Sequence, residues 1–238
     1  MTEDTTNKVL TIAECGHNAN GSMKHMKRQI DAAKKCGVDA VKFQCYDIDT
    51  IMTADDPVYM ELKMCQLDKK EVKELAKYCK KVGIEFMASA FDPKRVSWLE
   101  EVAVLRHKIA SRSIYDKETI RAMENTGKPI IASLGMLKEG DTIPEIKNAE
   151  FLWCISEYPA TITEEIFPKV FRNGGFSGFS DHSIGIEWAK EAVRRGATII
   201  EKHFTLDKRL PGCDQAGSAD PGEMRELVEF IRGYNSRI

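Results

Sequence analysis

At 238 residues the chain is long enough for one large domain with a complete core. Its 35 basic and 37 acidic side chains nearly cancel, leaving a net charge of −2 without long single-sign blocks, which argues against broad electrostatic capture of nucleic acid or a membrane surface. The seven cysteines show no Cys-x-x-Cys spacing and fall mostly within strand-like or helix-like runs, so they read as reduced thiols of a cytoplasmic protein rather than a disulfide framework.

In chain order, residues 1–8 read as a flexible polar tail and not as a signal peptide, and no apolar run approaches the ~20 residues of a membrane span. Val9–Cys15 reads as a strand, followed by a helix with Met26, Ile30 and Ala33 on one face. Asp39–Tyr46 is the second strand. A polar stretch then leads to a helix whose Val72, Leu75, Ala76 and Cys79 form an i, i+3, i+4, i+7 stripe stopped by Gly83. Ile84–Ser89 is the third strand, 93–102 a helix and His107–Ser111 the fourth strand.

A helix over 116–125 precedes strand five, Pro129–Ser133, and a short helix near 144–148 precedes strand six, Phe151–Ser156. Another helix near 163–171 precedes strand seven, Phe176–Ser180. Glu187–Arg195 is helical and Ala197–Phe204 is strand eight. The closing helix, 221–231, has Asp220 as its N-cap, Pro221 at its first position, and Met224, Leu227, Val228 and Ile231 on its buried face.

Eight strand-then-helix units predict an α/β fold, a (β/α)8 TIM barrel spanning 1–238 as a single domain, close to the ~250 residues usual for that architecture. The rival, an open doubly wound sheet, would show a glycine-rich phosphate turn after an early strand, and neither GxGxxG nor a Walker pattern is present. A barrel places its active site at the C-terminal strand ends. Those ends are polar almost throughout: Glu14; Lys42 and Gln44; Ser89; Lys108 and Ser111; Ser133; Ser156 and Tyr158; Ser180 and His182; Glu201 and His203.

Lys42/Gln44, Ser180/His182 and Glu201/His203 are i, i+2 pairs, so both members of each face one side of their strand. A single serine or histidine at such a place commonly serves structure alone. A lysine inside an apolar strand is different, because a buried charge without a partner is very costly. Two converging strand lysines flanked by hydroxyls suit a small phosphorylated or carboxylated ligand. His182 and His203, at the ends of neighbouring strands, can hold one metal ion between them. His25 reads as a solvated mid-helix residue, His107 as structural, and His17 lies beside the site.

These segments together resemble the sialic acid synthase family, which makes N-acetylneuraminic, pseudaminic and legionaminic acids. The resemblance runs through Ile12-Ala-Glu-Cys-Gly16, Asp39-Ala-Val-Lys-Phe-Gln44, Lys108-Ile-Ala-Ser111 and Gly127-Lys-Pro-Ile-Ile-Ala-Ser-Leu-Gly-Met136. It continues through Cys154-Ile-Ser-Glu-Tyr-Pro159, Gly178-Phe-Ser-Asp-His182, Glu201-Lys-His-Phe-Thr-Leu206 and Pro211-Gly-Cys-Asp214, covering almost the whole chain in order. It implies condensation of phosphoenolpyruvate (PEP) with the open-chain aldehyde of an N-acetylhexosamine, N-acetylmannosamine-like, to give a 2-keto sugar acid and phosphate.

The same resemblance implies a divalent metal, manganese before magnesium or cobalt, on His182 and His203. It puts Lys42, Ser89, Lys108, Ser111, Ser133 and Ser180 at PEP-binding positions, Glu14 near the reacting carbons, and Tyr158 and Asp214 against the acceptor, with Gln44 among the substrate-binding residues. The implied partners are these small molecules, with no nucleic acid and no membrane, and either a homo-oligomer or a partner chain completing the acceptor site. Relatives read Asn-His-x-Gly where this chain has Asn18-Ala19-Asn20-Gly21, carry an acidic acceptor contact where it has Ser113, have a longer segment between strands two and three, and continue into an antifreeze-like domain beyond the point equivalent to Ile238. Those departures leave the acceptor open: another aldose or sugar phosphate is the alternative substrate, and a catalytically silent sugar-acid-binding barrel the alternative class.

Overall fold

The computed structural model describes residues 8–173 and 175–235. The tail expected over residues 1–8 lies outside them, Lys8 excepted. Eight parallel strands, β1 Leu10–Glu14, β2 Ala40–Cys45, β3 Glu85–Ala90, β4 His107–Ile109, β5 Ile130–Ser133, β6 Ala149–Cys154, β7 Gly178–Asp181 and β8 Ile199–His203, pair in chain order. β8 returns to pair with β1, closing the barrel that the alternation of elements predicts.

Around it lie α1 Met23–Cys36, α2 Ile48–Ile51, α3 Tyr59–Cys65, α4 Lys69–Val82, α5 Pro93–Glu101, α6 Lys117–Glu124, α7 Glu187–Arg194 and α8 Pro221–Asn235. Local sequence explains their ends. The Asp68 and Glu71 side chains form a reciprocal capping box at the start of α4, and Gly83, at φ 76°, ends it in the left-handed conformation. At α8 the Asp220 carboxylate accepts the Gly222 and Glu223 N–H groups while Glu223 accepts the Asp220 N–H. Met224, Leu227, Val228 and Ile231 are buried as their spacing requires.

Two expected helices are absent: 144–148 and 163–171 are extended or turn-like. Pro168 falls where the second helix would need a backbone donor, and Arg172 adopts a positive φ of 70°. Aromatic packing does the covering instead. Phe167 and Phe171 are buried, and Phe167 packs edge-on to Trp153 and Phe179 and at a tilt against Trp188. The segment after β2, read as merely polar, folds into α2 and α3. His25 lies in the first turn of α1, half-buried rather than solvated.

The barrel interior is layered. Ile12, Ala40, Met87, Ile131, Leu152 and Ile199 form an apolar floor. Gly178 belongs to that layer for a steric reason, since a Cβ there would collide with the Ile199 carbonyl of the neighbouring strand. Beneath the floor, Arg232 of α8 donates to the Val9 carbonyl at 3.0 Å and to the Asp39 carboxylate at 2.8 Å. His107 is fully buried, with Nε2 3.0 Å from Glu100, the structural role expected of it. Among the described residues no helix is long and apolar enough to cross a membrane.

Candidate active site

Above the floor the inward-facing residues turn from apolar to charged, because each strand alternates faces and the next inward positions are Glu14, Lys42, Ser89, Lys108, Ser133, Ser180 and Glu201. Glu14, Lys42, Ser89, Lys108 and Glu201 form the base of a cavity of about 570 Å³ that opens at the C-terminal strand ends. Lys42 makes a direct ion pair with Glu14, its neighbour in register, and donates to Ser89 Oγ at 3.2 Å. Lys108 donates to Ser133 Oγ at 2.7 Å and to the Ile109 carbonyl at 3.1 Å. Glu201 Oε1 stands 3.7 Å from both ammonium groups and accepts the Ser180 hydroxyl at 2.9 Å.

All four charged groups are at least 96% buried, so their pairing decides their state. Burial alone would raise the Glu201 carboxyl, but Lys108 and Lys42, aided by Ser180, hold it well below the usual carboxylate range. Burial would likewise depress Lys42, yet Glu14 and Glu201 lift it above the ordinary lysine value. Lys108 has only the more distant Glu201 carboxylate against burial and the nearby Lys42 charge, so burial prevails and its affinity for a proton falls. Two positive and two negative charges thus balance, while Glu14 Oε1 and Glu201 Oε2 remain buried without a hydrogen-bond partner.

His182 and His203 sit one layer higher, their ring centroids 5.2 Å apart. His182 Nδ1 lies 2.7 Å from the Ile155 carbonyl oxygen. A carbonyl only accepts, so Nδ1 carries the proton and Nε2 keeps its lone pair. Burial, and then the neighbouring His203, push the His182 imidazole down to about 3, keeping it neutral. His203 Nδ1 is buried without a hydrogen-bond partner, 3.5 Å from Asp214 Oδ2. Two imidazoles, one fixed by a carbonyl and one beside a carboxylate, form a donor set that fits a first-row divalent cation.

The rim is built by loops. Tyr158 stacks on His182 at a centroid distance of 4.3 Å and meets His203 edge-on at 5.5 Å. Ser111 Oγ accepts the Gly135 N–H at 3.1 Å. Asn18, in the β1–α1 loop, donates to the Phe204 carbonyl and to Ser218 Oγ, tying that loop to the one after β8. Gly16 is required between them: its φ is 33°, and a Cβ would stand 2.6 Å from Glu14 Oε1.

Glu14, Lys42, Gln44, Ser89, Lys108, Ser111, Tyr158, His182, His203 and Asp214, all named from the sequence, line this one cavity. Ser133 and Ser180 lie just beneath it, bonded to Lys108 and Glu201. His17 lines the cavity as well, with Nδ1 3.5 Å from Asp214 Oδ2, whereas Ala19 is buried in the loop and Ser113 is buried beside Ser111 and Arg112, which do reach the cavity. Glu201 is the residue whose part the sequence hides. Its alternation with His203 shows that it faces inward, but its place between two lysines follows only from barrel closure.

Residues 29–238 match the family model described as NeuB family. The chain is 35% identical to the N,N'-diacetyllegionaminic acid synthase of Legionella pneumophila, over 93% of this chain and 70% of that protein. It is 32% identical to the human N-acetylneuraminate-9-phosphate synthase, over 93% of this chain and 68% of that one. The crystal structure of an N-acetylneuraminic acid synthetase from Leptospira borgpetersenii, in complex with citrate, superposes with a TM-score of 0.88 at 31% identity, covering 97% of this chain and 85% of the other.

Proposed function

The chain belongs to the NeuB family, and from that premise we propose that it condenses PEP with the open-chain aldehyde of an N-acetylhexosamine, releasing phosphate and a sialic-acid-like 2-keto sugar acid. The observation that carries this reading is the vertical order of one cavity, with Lys42 and Lys108 among hydroxyls at its base and His182 and His203 directly above. A small phosphorylated acid fits the lower level and an aldehyde the upper, which brings the two reacting carbons together between them.

The base is already neutral, since two carboxylates balance the two lysines, so a multiply charged anion calls for further positive charge. His182 and His203 would hold a divalent cation, manganese by the family resemblance, with magnesium or cobalt as alternatives, which would supply that charge and polarise the acceptor's carbonyl oxygen. Lys42 and Lys108 hold PEP by its anionic groups, with Ser89, Ser111, Ser133 and Ser180 shaping their surroundings. Tyr158, Asp214 and Gln44 border the upper level and orient the acceptor.

A bond forms between PEP C3 and the aldehyde carbon, whose oxygen takes a proton. Water then adds at C2, loses a proton, and phosphate departs to leave the keto group. Glu14 is the proton acceptor for that water: its Oε1 is buried, unpartnered and next to Lys42.

Incubation with Mn2+, PEP and a panel of aldoses including N-acetylmannosamine tests the reading, with mass spectrometry for acceptor-plus-pyruvate products and a phosphate-release assay. A product that disappears on chelation or in His182→Ala is expected. PEP binding without a product from any aldose would overturn the N-acetylhexosamine acceptor, and absence of PEP binding would overturn the synthase reading itself.

A further inference from the structure

We propose that His17, Cys213 and Asp214 form a second cation site at the cavity mouth, beside the histidine pair, suited to a borderline-soft divalent metal of the zinc and cobalt class. One donor atom from each of the three residues lies within 4.8 Å of the other two. His17 Nδ1 is 3.5 Å from Asp214 Oδ2, and Cys213 Sγ is 3.6 Å from Asp214 Oδ1. The nitrogen-to-oxygen spacing is close to a tetrahedral edge, since such donors bound to one zinc ion lie about 3.4 Å apart, and the thiol stands against the other oxygen of the same carboxylate.

Charge supports the same placement. Asp214 is buried, and among the described residues its ion-pair partners are imidazoles alone, His17 and His203, with no lysine or arginine. Glu61 adds a second carboxylate, accepting the Cys213 N–H at 3.1 Å. The mouth therefore concentrates negative charge, and among the described residues no lysine or arginine forms an ion pair with Asp214 or Glu61. A separate sign is an orphaned nitrogen turned toward it: His203 Nδ1 is buried without a hydrogen-bond partner, on a side chain only 8% exposed and 3.5 Å from the Asp214 carboxylate.

The sulfur donor sets this site apart from the imidazole pair. Thiolate favours zinc and cobalt over magnesium and manganese, so the two neighbouring sites select cations of different softness. Three protein donors leave a fourth position open to the cavity, as in zinc sites that bind a water or a substrate oxygen. Coordination forms the metal–sulfur bond and releases the Cys213 thiol proton to solvent. The site stands on its own donors, whether or not the synthase reading holds.

The test uses the full chain, stripped of metal and titrated with Co2+ alone. Bound cobalt is counted by elemental analysis, and the thiolate-to-cobalt charge-transfer band is read in the near ultraviolet. The wild type should show the band; Cys213→Ser should lose it together with about one equivalent of bound cobalt, and His182→Ala should keep it. Because Cys213 is exposed, its replacement leaves folding intact, which a thermal melt checks. Cobalt bound without the band, a band that survives in Cys213→Ser, or no cobalt bound at all would each overturn the proposal. Persistence of the band in His182→Ala alongside loss of turnover separates the two sites.

Discussion

Asp181 and Lys202 are register partners on β7 and β8, and their charged groups meet 3.2 Å apart on the outer face of the barrel, both at most 1% exposed. Directly inside them, on alternate positions of the same strands, lie Ser180 with Glu201 and His182 with His203. The outer pair thus fixes, from behind, the spacing of the inner ones. Asp181 also accepts the Ser183 N–H at 2.8 Å and hydroxyl at 2.6 Å, whereas Lys202 has, besides Asp181, only the Ser183 carbonyl among the described residues.

Asp181→Leu should therefore cost about 3–5 kcal/mol of folding stability, because it strands a buried ammonium. Lys202→Met should cost less, since Ser183 still satisfies the carboxylate. Urea unfolding of the two variants checks the order, and equal losses would show that Ser183 does not share the charge.

Glu201→Gln removes a negative charge placed between the two lysines. Anion affinity should rise at least tenfold, because an incoming phosphate no longer competes with that carboxylate for Lys42 and Lys108. Calorimetric titration with inorganic phosphate and with PEP reads this directly. Weaker binding would mean that Glu201 holds the lysines in place more than it competes for them.

Glu14→Gln keeps the shape and loses the proton acceptor. PEP binding should remain, and turnover should fall about 100-fold or more, the range of general-base contributions. Turnover near the wild-type value would remove Glu14 from that role.

Chelation should abolish product formation, and added Mn2+ should restore it. His182→Ala should not be rescued at any manganese concentration below the millimolar range, because one of the two imidazoles is gone. Paramagnetic resonance of free manganese measures the binding itself.

At the barrel bottom, burial would raise the Asp39 carboxyl, but hydrogen bonds from Lys8, Arg232 and Thr11 hold it below its ordinary value. A carboxyl depressed in the folded state stabilises the fold above its unfolded pKa of about 3.9, and that contribution fades as pH falls below it. Asp39→Asn should be less stable than wild type at pH 7, with the difference shrinking toward pH 3. Thermal melts across that interval test the sign.

The strand ends were legible because alternation is local: Lys42 with Gln44, Ser180 with His182 and Glu201 with His203 announce a shared inner face from spacing alone. The covering of β6 and β7 was not. Ile162, Ile166, Phe167 and Val170 are spaced as a helix would space them, yet Pro168 breaks the backbone ladder and the aromatic rings pack without one. The part played by Glu201 escaped for another reason. It depends on β8 pairing back to β1 and on how far across the barrel each lysine reaches, and neither is written in any one segment. His17 and Cys213 lie 196 positions apart, and hydrogen bonds from Asn18 and Asn20 to the segment after β8 help bring them together.

The apolar layer of Ile12, Ala40, Met87, Ile131, Leu152 and Ile199 makes the cavity a shaft with one door. Traffic through a single door follows a queue. On the proposed chemistry the phosphorylated acid must descend to the lysines before the sugar closes the passage above it, and the sugar-derived product must leave before the lower level can be refilled. Steady-state kinetics should then be ordered, with an unreactive sugar analogue trapping the acid beneath it and slowing its escape.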